Sequence, residues 1–104
     1  MKIIKVADFS KVPGGRYRKS GPKSGEEFRD DILIPAIEAL GPEFEEELLI
    51  DLDGGFGYAS SFLDEAFGRL PEKYGPRKGI LNTRFKSDDE PLLIEEIQRY
   101  ILKG

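Results

Sequence analysis

Two adjacent hydroxyls, Ser60 and Ser61, follow the stretch DLDGGFGYA and open the run SSFLDEAFG. At the start of a helix, free backbone N–H groups and the helix dipole favour negative charge, so a phosphate there is stabilised. Two roles are open to the pair. Ser61, with Asp64 three residues on, matches a capping box. Ser60 is then left as a candidate site where a phosphate is added and removed. Just before the glycines, Asp51 and Asp53 stand two apart on one face of a strand, where paired acids either hold magnesium or bond the amides of the turn. Two acids alone do not define a metal site, and none is assigned. Gly54, Gly55 and Gly57 let the backbone turn sharply and approach another molecule closely. Upstream, PGGRYRKSGPKSGE sets Arg16, Arg18, Lys19 and Lys23 ahead of a second helix start. Arginines flanking Tyr17 suit a single phosphate or an acidic protein partner; the plainer alternative is a solvated basic loop.

The residue types that are missing narrow the chemistry. The chain has no histidine, cysteine or tryptophan. That removes imidazole bases, Ser-His-Asp triads, thiolate nucleophiles, disulfides and the usual nitrogen and sulfur metal ligands. No phosphate-binding loop of the Gly-x-x-x-x-Gly-Lys-Ser/Thr kind occurs, and GGFG is not the dinucleotide fingerprint. The net charge of −4 hides an asymmetry. Residues 1–23 hold seven Lys/Arg against Asp8 alone, and the rest holds nine basic and nineteen acidic residues. A basic stretch this short on so acidic a body argues against general nucleic-acid binding.

Several elements must position these residues. KIIKV reads as a first strand and GRYR as a short edge strand beside it. Ser24 with Glu27 forms a capping box, and Phe28, Ile32, Ala36 and Leu40, widened by Leu33 and Ile37, give a core-facing helix. Pro35 predicts a kink inside it, and Gly41-Pro42 its end. Leu48 to Leu52 is nearly continuous in apolar character, as expected of a central strand covered on both faces. Leu63, Ala66, Phe67 and Leu70 predict a second helix stopped by Pro71, KYGPRKG a loop, and GILNTRF a third main strand. Ser87 with Glu90 makes another capping box. Leu93, Ile97, Tyr100 and Ile101 form the stripe of a last helix. The order β(β)αβαβα implies right-handed crossovers and a mainly parallel or mixed sheet of about four strands with three helices, in one α/β domain over 1–104. Ligands of such sheets sit beyond the carboxyl ends of the strands, where residues 53–61 fall.

At LLIDLDGGFGYASSFLDEAFGRL the chain resembles STAS domains, the fold of bacterial anti-sigma factor antagonists. There a hydrophobic strand ends in Asp-Ser-Ser-Gly and a helix follows at once. The resemblance places the serine phosphorylated by a histidine-kinase-like ATPase partner at Ser60, with Ala59 where that family has Asp and Phe62 where it has Gly. A closer likeness is to the STAS-like group of small prokaryotic and phage-associated domains of unknown function. PGGRYRKSGPKSGEEFRDDILIPAIE, IDLDGGFGYASSFLDEAFGRL and DDEPLLIEEIQRYI resemble its three blocks. The resemblance implies a regulatory, non-enzymatic domain. Its partner, a kinase-like ATPase, would be met through Gly55, Phe56, Gly57, Tyr58, Ser60, Ser61 and Phe62.

The alternative reading is a small-anion or nucleotide binder. Arg16 and Arg18, helped by Lys19 and Lys23, would grip phosphate beside the glycine-rich loop. Neither reading requires a cofactor. No apolar run approaches the roughly 20 residues of a membrane span, and MKIIKVADFS lacks the pattern of a signal peptide. A cytoplasmic address without membrane contact is therefore expected by default.

Overall fold

A computed structural model describes residues 2–39, 47–70 and 83–103. Three parallel strands form the sheet in the order β1 (Lys2–Lys5), β2 (Leu48–Asp51), β3 (Thr83–Lys86). Ile4, Ile50 and Phe85 share one register line, and Ile3, Leu49 and Arg84 the next. β2 is central, as its apolar run predicts. Sequential parallel neighbours make every crossover step the same way, and right-handed crossovers then put both connections on one face. Burial follows this geometry. Ile4, Leu48 and Ile50 are buried, Leu49 is half-buried and Ile3 is 57% exposed. The described residues cover the Leu48–Ile50 side of β2, and Leu49 on its other side is half-buried.

The first strand ends sooner than its apolar pattern suggests, because Val6–Phe9 turns at once into the one-turn helix α1. That turn carries Phe9 onto Phe28 (ring centroids 5.3 Å) and Phe62 (6.5 Å). GRYR is not a strand. Arg18–Ser20 is a 3-10 turn, and the carbonyls of Gly15 and Arg16 accept the amides of Gly25 and Glu26. Helix starts leave free N–H groups, and here a neighbouring segment satisfies two of them instead of pairing with β1. Strand count among the described residues is thus three, where about four are expected from sequence.

α2 (Gly25–Phe28) starts where Ser24 Oγ accepts the Glu27 amide at 3.1 Å, while the Glu27 carboxylate reaches the amide of Lys23. A wide turn over Arg29–Leu33 follows, and then α3 (Ile34–Glu38). The kink expected at Pro35 takes this form. Proline has no N–H to donate, its ring collides with the carbonyl four residues back, and a π-turn relieves both. Leu40 and Gly41-Pro42 lie outside the described residues, as do Pro71, KYGPRKG and the first part of GILNTRF.

Among the described residues, α4 (Ser60–Phe67) and α5 (Leu92–Lys103) join this layer. Phe62, Leu63, Ala66 and Phe67 of α4 and Leu93, Ile97 and Ile101 of α5 enter the core. The Ser87–Glu90 capping box does not form: the Ser87 hydroxyl donates to the Glu90 carbonyl at 2.7 Å, and α5 begins only at Leu92. Among the described residues, no helix is long and apolar enough to cross a membrane.

Candidate functional site

The carboxyl end of β2 is tied down before the glycines begin. Asp51 Oδ1 accepts the Asp53 amide at 3.0 Å. Asp53 in turn accepts Lys86 Nζ at 2.7 Å and the amides of Asp88 (3.1 Å) and Asp89 (2.9 Å). These bonds hold its carboxyl at about 2, Lys86 first among the causes. Of the two uses open to this acid pair, turn bonding is the one observed. Gly54 and Gly57 have φ of 92° and 129°, which side chains rarely tolerate. Gly55 packs against the Lys11 carbonyl, which accepts the Phe56 amide at 2.8 Å.

This bracing turns alternate aromatics opposite ways. Phe56 is 83% exposed. Tyr58 is half-buried, donates its hydroxyl to the Leu52 carbonyl at 2.8 Å and packs 6.0 Å from Phe62. Burial, then the nearby Asp51 and Asp53, push its hydroxyl up to about 12. Phe62 itself is fully buried, so it supports the loop from within and presents no surface to a partner.

The serine pair is arranged differently from the capping box read in the sequence. Ala59 is the N-cap of α4 with no side-chain bond, and the amides of Phe62 and Leu63 bond its carbonyl. Ser60 and Ser61 are the first two helical residues. The expected capping role of Ser61 is therefore corrected: the chain enters the helix two residues earlier, and the Asp64 carboxylate takes Arg16 at 2.7 Å. Ser61 is half-buried. Ser60 is exposed, and Tyr100 donates its hydroxyl to Glu96 at 2.7 Å.

The four basic candidates turn to separate partners. Arg16 binds Asp64 and, at 3.4 Å, Glu65, and the Asp64 bond raises its pKa. Arg18 binds Asp31 at 2.7 Å, chiefly through the hydrogen bond that raises its own pKa. Lys23 lies over the Phe9 ring at 4.9 Å and Lys19 over Tyr17 at 5.6 Å. A phosphate at Arg16 or Arg18 would have to displace a carboxylate already in place.

Sequence reasoning missed Glu65. It is buried on α4, bonded to Arg29 and flanked by Arg16 and by Arg69 at 3.5 Å. It links the basic loop and the Arg29–Leu33 turn to α4. Its neighbours Leu63 and Ala66 gave the apolar stripe, and an acid inside that stripe was the available signal.

Parallel strands, helices packed on their Leu48–Ile50 side and a braced loop beyond the central strand define an α/β fold, with the candidate site at the strand ends. The chain belongs to the family described as STAS-like domain of unknown function (DUF4325), whose model matches residues 24–89. The match runs from the α2 cap through the glycine loop to Asp89. Neither the curated proteins nor the solved structures include a match to the chain.

Proposed function

We propose that this STAS-like domain is a non-enzymatic regulatory module. It docks on a kinase-like ATPase through the 54–62 loop and α4, and phosphorylation of Ser60 switches the contact. The observation that carries this reading is the exposure of Phe56 on a loop braced at both sides, beside an exposed Ser60 hydroxyl at the start of α4. A rigid loop presents an apolar anchor at low entropic cost. A phosphate on Ser60 adds nearly two negative charges at the edge of that contact. The positive end of α4 tolerates them, so the fold persists while the surface changes sign. The absence of histidine and cysteine supports a binding role over a catalytic one.

The test combines intact mass after incubation with the cognate ATPase and ATP with binding of Ser60→Ala, Ser60→Asp and Phe56→Ala. One added phosphate in the parent and none in Ser60→Ala is expected, with altered partner affinity in Ser60→Asp and lost affinity in Phe56→Ala. An unchanged mass together with parental binding by all three variants rejects the reading.

A further inference from the structure

Between the loops that follow β2 and β3 lies an open cavity of about 150 Å3. Its walls include Phe56 and Tyr58, Leu52 and Leu93, and the acids Asp89 and Glu90. A cavity of this size holds a group about as large as benzene. One flat side-chain end fits, and a nucleotide does not.

Charge selects among flat groups. Asp89 gives one oxygen to the Gly54 amide at 3.2 Å, and the Glu90 carboxylate has no side-chain bond among the described residues. Lys86, at the end of β3, is engaged by Asp53 (2.7 Å) and Asp88 (3.2 Å). The start of α5 contributes about half a positive charge, less than the two wall carboxylates. An anion is therefore repelled, and a neutral apolar group would desolvate the acids without replacing their hydrogen bonds. A guanidinium meets both needs: its plane stacks on aromatic faces and its N–H fork bonds carboxylates. An ammonium is compact and strongly hydrated, and matches a flat aromatic wall less well.

We infer that this cavity receives an arginine side chain from the partner protein. The inference rests on the protein-interaction reading and adds to it that the partner's contact surface is basic. Phe56, so exposed in the free domain, gains cover by lying against the guanidinium.

The test needs no partner. Isotope-labelled domain is titrated with N-acetyl-arginine methylamide, with its citrulline counterpart of similar shape but no charge, and with N-acetyl-lysine methylamide. Saturable amide shifts at Gly55, Gly57, Ser87 and Glu90 are expected with arginine, weaker ones with lysine and none with citrulline. Glu90→Gln should weaken arginine binding about tenfold, and Phe56→Ala should weaken it too. Both side chains are exposed, so thermal melts should show the variants folded. Equal binding of citrulline or lysine, shifts spread over remote acids such as Asp30 and Asp31, or parental affinity in Glu90→Gln overturns the inference. Failure here leaves the Ser60 experiment intact, and failure of that experiment leaves this one readable.

Discussion

Asp53 joins the ends of two strands through one carboxylate, taking Lys86 and the amides of Asp88 and Asp89. Those bonds exist only in the folded chain, and they lower its pKa from 3.8 to about 2. Between these values the unfolded chain binds the extra proton, so stability rises with pH there and is lost as pH falls through the folded value. Asp53→Asn should flatten the acid limb of the stability curve between about pH 4 and pH 2. Urea midpoints measured across that range check it. A limb as steep as the parent's would mean that other carboxylates carry the acid sensitivity. The serines show how far a single residue can be read alone. Hydroxyls at a helix start were legible, but which of them caps depends on where the backbone turns. Here Ala59 does so, by its carbonyl alone.

The crossing of α2 and α4 sets how closely the basic loop and the serine helix approach. Gly25 lies at that crossing: a Cβ there would stand 2.6 Å from the Phe62 carbonyl oxygen, 3.1 Å from Glu65 Cβ and 3.2 Å from the Ala66 amide. Two of the three are backbone atoms that move only if α4 moves. Alanine gains up to about 1 kcal/mol in helix propensity over glycine. Overpacking against fixed atoms costs about 1–3 kcal/mol, and the clash outweighs the gain. Gly25→Ala should therefore lower stability by about 1–2 kcal/mol. It should also loosen the Arg16–Asp64 pair, visible as shifted α4 resonances. A variant as stable as the parent would place the helices further apart than the structure has them. This glycine carries no sign of its role in the sequence, where it reads as an ordinary first helical residue after Ser24.

Across the whole molecule, cooperativity depends on β2. Ile50 is fully buried, pairs in register with Ile4 and Phe85 and lies under the aromatic cluster, in which Phe85 meets Phe67 edge-on at 5.5 Å. An unpaired buried charge costs several kcal/mol, against about 5–15 kcal/mol for a whole domain. Ile50→Asp should abolish the cooperative thermal transition. A melt within a few degrees of the parent would show that the centre of the sheet lies elsewhere. The same architecture leaves the Ile3–Leu49–Arg84 line outside the layer of described helices, because all the crossovers step in one direction.

Local pattern was enough for what local forces decide. The central strand, the Ser24 cap, the distortion at Pro35, the apolar stripes of α4 and α5 and the position of the glycine loop all follow from spacing and propensity. Tertiary structure decided what depends on partners distant in the chain. GRYR gives up a strand because its carbonyls serve the start of α2. Arg16 and Arg18 meet carboxylates 48 and 13 residues away. Asp89 and Glu90 join Phe56 and Tyr58 around one cavity only because β3 lies beside β2. Such contacts close long loops whose entropy the folded core as a whole offsets, and no short stretch of sequence encodes them.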